Sequence, residues 1–470
     1  MDLSALRASY SGRLYTEPAD MEAFLTDWRR KWTGRALAVA QPDAPLDVAA
    51  VLAWCSANQV PVVAQGGNTG LSGGATPDGS GRSLLLSLTR LNRVRNVDTR
   101  NNTIEVEAGV TLQQVQDAAR DAGRMFPLSL AAQGTCTIGG NLATNAGGVQ
   151  VLRFGNAREL CLGLEVATAQ GDLWNGLRGL RKDNSGYDLR DVFIGSEGTL
   201  GVITAAVLKL FPLPAAQVAA FVATPNVDAA VQLFHLSLAL LGSELTACEL
   251  VSEPCLQLVE KHSATARRPF GDVSPWYVLL EVSTQQEEAS AMAKVEALLE
   301  TAMEQELATN AVVSTSVAQF KNLWSLREHI SEAQAAEGKT IKHDISLPIS
   351  CIGEFVDSTS SNLTRSFPHI RLICFGHLGD GNLHYNISPH PNQDEPDDVA
   401  AFLELEEPIN RLVHDAVAAR GGSISAEHGL GVLRRDESAR FKSDVEMRLM
   451  RSLKLAFDPL YLMNPGKVLP

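Results

Sequence analysis

Residues 65–74 read QGGNTGLSGG, just after the strand-like segment Pro61-Val62-Val63. Five of these ten residues are Gly. Such a loop exposes successive backbone N–H groups with no Cβ in the way, which suits the pyrophosphate of a nucleotide. Its spacing is not the G-x-G-x-x-G of a Rossmann fold, and it lacks the Walker Lys-Ser/Thr. The pattern therefore favours a phosphate cradle of another kind, with a plain glycine-rich turn as the alternative.

Two more glycine-rich segments follow along the chain. Residues 134–148 read GTCTIGGNLATNAGG, and residues 195–201 read GSEGTLG. Strand-like residues flank each segment, so together they indicate one extended ligand lying against backbone, and a dinucleotide such as FAD has the required length. Residues 70–74 also match the G-x-S-x-G elbow of serine hydrolases. That elbow needs a helix straight after the Ser, whereas turn-forming residues follow here.

Strand-like and helix-like patterns alternate along the chain, which predicts the α+β fold class. Asp43 is the predicted cap of a helix whose first turn holds Pro45. The FPLP stretch at 211–214 indicates a domain boundary, and a second α+β domain is expected after it. Alternating apolar runs predict strands at 37–41, 84–88, 103–107, 162–166 and 276–282, and helical spacing predicts helices at 112–123, 227–241, 286–308, 398–420 and 444–456.

Composition and charge exclude several classes of protein. The 470 residues carry a net charge of -14, which disfavours a nucleic-acid or anionic-membrane surface. The seven cysteines form no C-x-x-C pair, so they indicate reduced intracellular thiols and argue against an iron–sulfur cluster. The N-terminus has no apolar signal core, and the longest apolar stretch, near 233–241, is too short for a bilayer. We therefore expect a cytoplasmic protein with no membrane span.

Residues 376–386 read GHLGDGNLHYN, with one histidine on each side of an Asp-Gly pair. Asp380-Gly381 is a strong two-residue turn signal, and a turn centred there pairs His377 with His384. Opposed side chains have Cβ atoms about 4.5–5.5 Å apart, so two imidazoles could grip one ion. Glu427, beside His428, is the candidate third ligand, and this donor set suits zinc or manganese. Two unrelated polar strand residues are the alternative.

Arg327 lies on an otherwise apolar stripe of a predicted helix. The stripe is formed by residues at i, i+3, i+4, i+7 and i+11 spacing: Phe320, Leu323, Trp324, Arg327 and Ser331. A solvated Arg would more often fall on the polar face, so Arg327 is a candidate for binding an anionic substrate. A snorkelling Arg at a helix edge is the alternative.

The motifs taken in order resemble a known family. The segments PVVAQGGNTGLSGG, GTCTIGGNLATNAGG and GSEGTLGVIT are similar to the FAD-binding loops of vanillyl-alcohol oxidase / p-cresol methylhydroxylase flavoproteins. LWSLREHI, IKHDISLP, GHLGDGNLHYN, AEHGLG and NPGKVLP resemble the FAD-linked D-2-hydroxyacid dehydrogenases. The resemblance implies an FAD-binding domain at 1–213 with subdomains at about 1–100 and 101–213. It further implies a substrate-binding cap at 214–420 and a segment at 421–470 that completes the active site and packs on the FAD domain.

The resemblance also implies roles for individual residues. His377, His384 and Glu427 match the metal ligands, and His428 matches the catalytic base. The substrate-binding positions are Arg327, Ser331, Lys342, Asn386 and His428. The FAD-binding positions are Gln65, Gly66, Gly67, Asn68, Thr69, Gly70, Gly134, Thr135, Ile138, Gly139, Gly140, Asn141, Thr144, Asn145, Gly147, Gly148, Glu197, Gly198, Gly201, Val202, Ile203 and Asn464. The first loop has no His, so non-covalent FAD is expected.

The activity implied by the resemblance is oxidation of a D-2-hydroxy acid, with D-2-hydroxyglutarate to 2-oxoglutarate as the expected reaction. Hydride would pass from C2 to flavin N5, and an external acceptor such as electron-transfer flavoprotein or a quinone pool would take the electrons. D-lactate dehydrogenase, the flavin subunit of glycolate oxidase, a flavin-dependent synthase and a metallohydrolase remain as alternatives. The preferred hydroxy acid, the acceptor, the metal and the oligomeric state, including a homodimer, stay open.

Overall fold

The computed structural model describes residues 3–390 and 396–470, and these divide into two compact units. The first unit comprises residues 1–148, 155–213 and 427–470, and the second comprises residues 149–154 and 214–426. In the described part of the chain, no helix combines the length and the apolar character that crossing a membrane requires.

Helices and short strands alternate throughout the described residues. The helices are α1 Ser4–Ser9, α2 Pro18–Leu25, α3 Pro45–Ala57, α4 Leu112–Asp121, α5 Ile138–Ala143, α6 Val151–Phe154, α7 Ala157–Leu160, α8 Leu189–Phe193, α9 Val227–Leu241, α10 Glu253–His262, α11 Glu288–Glu304, α12 Val317–Glu328, α13 Ile330–Glu337, α14 Ile352–Ser366, α15 Pro396–Glu404, α16 Glu406–Ala418, α17 Arg435–Phe441 and α18 Asp444–Phe457. The strands are β1 Gly12–Tyr15, β2 Ala38–Pro42, β3 Val62–Gln65, β4 Leu84–Ser87, β5 Val94–Asp98, β6 Thr103–Glu107, β7 Arg124–Met125, β8 Cys161–Thr168, β9 Leu173–Gly176, β10 Gly201–Lys209, β11 Phe211–Pro212, β12 Ala216–Thr224, β13 Leu245–Ser252, β14 Trp276–Thr284, β15 Asn310–Val313, β16 Asp344–Ser346, β17 Ile370–His377 and β18 Asn382–Pro389. Two short 3₁₀ helices cover Gly242–Glu244 and Ile349–Cys351. The α+β prediction is confirmed.

Local sequence signals account for many of these boundaries. Helix α4 begins with a capping box, in which Thr111 and Gln114 exchange side-chain and backbone hydrogen bonds. The predicted helix at 112–123 ends with Ala122 as its C-cap residue, and Gly123 follows with the positive φ of +68° that favours glycine after a helix. The prediction for the start of α3 was wrong, because Ala44 is the N-cap residue and the Asp43 carboxylate instead accepts a hydrogen bond from Arg90.

Two sheets organise the first unit. One has the strand order β1-β2-β4-β3, with β2, β4 and β3 parallel, and the other has the antiparallel order β5-β6-β10-β8-β9. Strand β3 leads directly into the first glycine-rich loop, and β10 begins where the third one ends. One face of α3 is buried in the core with β2 and β4, and it carries residues at i, i+3, i+4 and i+7 spacing: Val48, Val51, Leu52 and Cys55.

The second unit is built on one antiparallel sheet of seven strands in the order β15-β12-β14-β13-β17-β18-β16. Buried side chains of α10, α12 and α13 share a hydrophobic core with alternate residues of the central strands. The helix predicted at 398–420 is two helices, α15 and α16, with Leu405 between them.

Candidate active site

Polar side chains occupy one face of the seven-stranded sheet where β13, β17, β18 and β16 lie side by side. Glu249 on β13 pairs in register with His377 on β17, and His377 pairs with Asn382 on β18. On the far side of β18, His384 pairs with Asp344 of β16. Because alternate residues of a strand point to the same face, Asn382 and His384 share a face. We call these five residues the sheet cluster.

The two imidazoles of the sheet cluster are neighbours, although the predicted turn was wrong. Their ring centroids are 5.8 Å apart, with the rings near perpendicular. The loop has four residues, 378–381, so His377 pairs with Asn382 and lies diagonally from His384. A two-residue I′ turn would need positive φ at both Asp380 and Gly381, and of these two only Gly381 has it, at +83°.

A buried carboxylate holds His377. The Nδ1 atom of His377 lies 2.7 Å from Oε1 of Glu249, a residue with 0% exposure. Burial alone would raise the pKa of Glu249, but His377 and Arg327 together hold that pKa below its ordinary value. Since Nδ1 is hydrogen-bonded to a carboxylate, Nε2 is the ring nitrogen that His377 would offer to a metal ion, as in the carboxylate–histidine–metal arrangements of metalloproteins.

The second imidazole, His384, also has a carboxylate nearby, at a longer distance. Nδ1 of His384 lies 4.0 Å from Oδ1 of Asp344, and the same oxygen accepts a hydrogen bond of 2.9 Å from Nδ2 of Asn382. The His384 ring also packs against Phe375, with centroids 4.9 Å apart. Two neighbouring imidazoles, each with a carboxylate oxygen within 4.0 Å of Nδ1, are a donor set that suits a divalent ion such as zinc.

Arg327 is a buried residue of the same region. Its Nε donates a hydrogen bond of 2.8 Å to Oε2 of Glu249, and its guanidinium lies 4.7 Å from the centroid of the Phe375 ring. The side chain is only 9% exposed, so the snorkelling alternative is wrong. The apolar stripe on which it was predicted does carry a buried Leu323 and Trp324.

The other predicted substrate residues lie at different places in the second unit. The segment before β16 continues its pairing with β18 through the Ile341–Ile387 bridge, so half-buried Lys342 lies opposite Asn386. Asn386 is 3% exposed. Its Oδ1 accepts from the backbone N–H of His343 at 3.1 Å, and its Nδ2 donates to Gln334 at 2.9 Å.

Ser331 does not share a continuous helix with Arg327. The predicted helix is two helices, α12 and α13, and His329 caps both of them. Ser331 is exposed in the first turn of α13. The buried polar residue of α13 is Gln334, which is 1% exposed and was not predicted.

In the first unit the three glycine-rich loops meet one another. A Cβ on Gly67 would lie 2.0 Å from the carbonyl oxygen of Thr135, so only Gly fits where the first loop crosses the second. Backbone N–H groups of Gly195 and Glu197 donate to Leu142 and Ala143 at 3.0 and 2.8 Å, which ties the third loop to α5. The three glycine-rich loops therefore form one connected backbone assembly in the first unit.

Two amide side chains of the first loop donate hydrogen bonds to backbone carbonyls outside the three glycine-rich segments. Gln65 Nε2 donates to the carbonyls of Phe24 and Ala75, and Asn68 Nδ2 donates to Thr26. These bonds hold the loop in place with both side-chain N–H groups of Gln65 and one of Asn68.

Several of the predicted FAD-binding residues have a strained backbone, and buried polar atoms without a hydrogen-bond partner lie among them. Asn68, Asn145, Glu197 and Asn464 all have positive φ, between 44° and 53°. Such conformations persist where surrounding structure enforces them, and they cluster at ligand sites. Oδ1 of Asn464 and Oγ1 of Thr137 are buried in this region without a hydrogen-bond partner. A polar dinucleotide that bonds these atoms fits the residues present.

The segment of Glu427 and His428 is tied to two of these loops. Ser72 Oγ donates to the carbonyl of His428 at 3.1 Å, and the Glu197 carboxylate accepts from the N–H groups of Leu430 and Gly431 at 2.7 and 2.8 Å. Burial raises the pKa of Glu197, and the two N–H donors oppose that rise. A Cβ on Gly429, whose φ is +69°, would lie 2.8 Å from the same carboxylate.

Asn464 contacts the first and third glycine-rich loops, because its Nδ2 donates to the carbonyls of Gly74 and Glu197 at 2.9 and 2.7 Å. Ala426, the last residue of the second unit, donates its N–H to the carbonyl of Asp344 at 3.2 Å. Glu427 and His428 are the next two residues along the chain and belong to the first unit.

Sequence reasoning missed Glu249, Asp344, Asn382 and Gln334. The first of these carried a usable signal, because Glu249 is the one charged residue in the strand-like run LTACELVS. A lone acid in a buried strand requires compensation by a cation or hydrogen-bond donors. The partner could not be predicted, since β13 pairs with β17 from far along the chain.

Known proteins resemble this chain over most of its length. Residues 36–176 match the FAD binding domain family, and residues 213–468 match the C-terminal domain of FAD linked oxidases. A D-2-hydroxyglutarate dehydrogenase of Xanthomonas citri pv. viticola is 41% identical over 468 residues, covering 99% of this chain and 96% of the relative. The mitochondrial D-2-hydroxyglutarate dehydrogenase of Bos taurus is 37% identical over 469 residues, covering 100% and 83%. The structure of p-cresol methylhydroxylase superposes with a TM-score of 0.76 at 14% identity, covering 99% of this chain and 96% of that chain, which shows the shared fold.

The fold, the glycine-rich loops and the two domain matches define an FAD-dependent oxidoreductase. The chain is also 41% identical, over nearly its full length, to a protein named D-2-hydroxyglutarate dehydrogenase, which indicates the kind of oxidoreductase. The chain belongs to the FAD-linked oxidase family, among the D-2-hydroxyglutarate dehydrogenases, and is an FAD-dependent hydroxyacid dehydrogenase.

Proposed function

We propose that this protein oxidises D-2-hydroxyglutarate to 2-oxoglutarate with non-covalent FAD and a divalent metal ion. The observation that carries the proposal is the sheet cluster, in which two neighbouring imidazoles, His377 held by Glu249 and His384 near Asp344, lie in the same region as the buried cation Arg327. A chelated hydroxy acid with a second carboxylate needs metal ligands and a cationic partner in one region.

In this proposal His377, His384 and Glu427 hold the ion, with zinc favoured and manganese as the alternative. The ring nitrogens of the two imidazoles are neutral donors, and Glu427 adds a charged oxygen. Glu427 follows directly on Ala426, whose N–H is bonded to the strand carrying Asp344, and this supports the assignment.

Each group has a defined task. FAD supplies a hydride acceptor and the metal ion a Lewis acid for the 2-hydroxyl. His428 would take the hydroxyl proton while C2 gives up a hydride that bound FAD would accept, so one proton and one hydride leave the substrate and a carbonyl forms. Arg327 and Lys342 bind carboxylate oxygens, and the second N–H of the Asn386 amide together with the Ser331 hydroxyl orients the substrate.

The remaining assignments follow the same scheme. Residues 1–213 form the FAD-binding domain, 214–420 the substrate-binding cap, and 421–470 the segment that completes the active site. The electrons pass to an external acceptor, electron-transfer flavoprotein or a quinone pool. We place the protein in the cytoplasm, although the bovine relative is named as mitochondrial.

An anaerobic spectrum of the purified yellow protein tests the substrate. We expect D-2-hydroxyglutarate to bleach the oxidised-flavin band, with the L enantiomer and D-lactate as controls. Bleaching by D-lactate at equal or higher efficiency would contradict the dicarboxylate assignment. Protein that carries FAD but is bleached by none of the three would refute the activity.

Metal analysis tests the ion. His377→Ala and His384→Ala should each lose bound metal while keeping FAD, whereas His369→Ala, at an exposed histidine outside the cluster, should keep both. Equal metal content in all three variants would contradict the ligand assignment.

A further inference from the structure

Glu249 contacts two residues that have separate tasks in the proposed reaction. We propose that Glu249 is a positioning residue that holds the metal ligand His377 with one carboxylate oxygen and the substrate-binding Arg327 with the other. The inference rests on the proposed function and extends it, because it makes metal affinity and carboxylate recognition depend on a single side chain.

The geometry is specific. Glu249 lies directly opposite His377 across the β13–β17 pair. Oε1 is 2.7 Å from His377 Nδ1, and Oε2 is 2.8 Å from Arg327 Nε. The carboxylate side chain is 1% exposed, so water offers little replacement for either partner.

Each contact fixes an orientation. The bond to Nδ1 sets the tautomer and ring plane of His377, which directs Nε2 to the ion. Arg327 is held at Nε by Glu249 and on its planar face by the Phe375 ring, 4.7 Å from the guanidinium carbon. The terminal nitrogens are then the ones presented to a substrate carboxylate, in the bidentate manner that guanidinium favours.

The substitution Glu249→Gln separates the two contacts chemically. A carboxylate accepts hydrogen bonds at both oxygens, whereas an amide accepts at one atom and donates from the other. The glutamine can therefore satisfy His377 or Arg327 but not both donors. Glu249→Asp keeps two acceptor oxygens on a shorter arm, so it should restore part of each function.

Glu281 provides a matched control in the same sheet. It is a buried glutamate of β14, 3% exposed, whose Oε1 accepts from the hydroxyls of Thr246 and Ser283 at 2.7 and 3.1 Å. Gln150 Nε2 donates to the same oxygen at 3.3 Å. Since the glutamine carbonyl oxygen can take the place of Oε1 and keep these three bonds, Glu281→Gln should be tolerated. It reports the general effect of an acid-to-amide change in this core.

The test measures metal affinity by competition with a chromogenic chelator, using zinc alone, on the FAD-loaded full chain. We expect Glu249→Gln to bind zinc about 10–100-fold more weakly than the unaltered protein, with Glu249→Asp in between and Glu281→Gln unchanged. The KM for D-2-hydroxyglutarate should rise in Glu249→Gln at saturating metal. Thermal unfolding and FAD content verify that each variant is folded.

Two kinds of failure can be told apart. Unchanged zinc affinity and KM in a folded Glu249→Gln protein, or equal losses in Glu281→Gln, would show that Glu249 has only a structural role and would overturn the inference alone. If the unaltered chain holds no zinc, or if His377→Ala binds zinc equally well, the proposed metal site falls, and the inference falls with it.

Discussion

A buried ion pair in the first unit gives a quantitative test of the fold around the predicted FAD loops. Lys454, 6% exposed in α18, donates from Nζ to Asp458 Oδ2, to the Thr199 carbonyl and to the Met463 carbonyl at 2.6, 2.7 and 2.8 Å. All three ammonium protons are therefore used. Asp458 is 0% exposed and also accepts from the N–H groups of Leu462 and Met463 at 3.0 and 2.8 Å.

The substitution Lys454→Met leaves a buried carboxylate without its cation. Removing one partner of a buried pair costs about 3–5 kcal/mol, because the remaining charge cannot return to water. Burial lowers the pKa of Lys454, and Asp458 offsets that only in part, which agrees with a strongly desolvated site. The methionine cannot donate to Thr199 in the third glycine-rich loop or to Met463 beside Asn464, so FAD retention should fall as well.

Urea unfolding followed by circular dichroism and by flavin release measures both effects. Lys442→Met is the matched control, because Lys442 pairs with Glu446 at the same i,i+4 spacing but with side chains 41% and 49% exposed. An exposed pair contributes about 0–1 kcal/mol. The double variant Lys454→Met/Asp458→Asn should recover part of the loss. A Lys454→Met protein as stable as the Lys442→Met protein and equally loaded with FAD would refute the reasoning.

Three further predictions follow from other features. Gly67→Ala should destabilise the protein by about 1–3 kcal/mol and reduce bound FAD, because the new Cβ would meet the Thr135 carbonyl, and an unchanged FAD content would contradict the crossing of the two loops. Burial raises the pKa of Glu337, but His262 and other basic neighbours lower it to about 2 from 4.5. The stability deficit of Glu337→Gln should therefore be full above about pH 4.5 and vanish as the pH falls towards 2, and a deficit independent of pH would contradict this. Of the seven cysteines only Cys351 is not fully buried, so a thiol reagent should label one rapidly in the native protein and seven after unfolding.

Much of the fold was predictable because its signals are local. The spacing of apolar residues placed α9 at Val227–Leu241, and alternation placed β6 at Thr103–Glu107, with the observed bounds. Glycine-rich composition located the three loops that meet in the first unit. The starting residue of α3 was mispredicted because Asp43 has a competing partner, Arg90, from a distant part of the sequence.

Contacts between distant strands lie beyond such reasoning. Glu249 and His377 are 128 positions apart, and nothing near either residue specifies that β13 pairs with β17. The same holds for Gln334, whose partner Asn386 is 52 positions away. Buried polar residues of this kind are satisfied by topology, so a single sequence shows that a partner is required without showing which one.

The hairpin of the sheet cluster shows why a wrong register can leave a site prediction useful. The predicted pairing of His377 with His384 differs from the observed pairing with Asn382 by two residues. A slip of one residue would turn His384 to the opposite face of the sheet, whereas a slip of two preserves the face. The imidazoles therefore remain neighbours on a diagonal, 5.8 Å between centroids. The prediction that both histidines lie on the same face of the sheet therefore holds, because it requires only that the register be correct to within an even number of residues. The residue directly opposite each histidine depends in addition on the conformation of the turn.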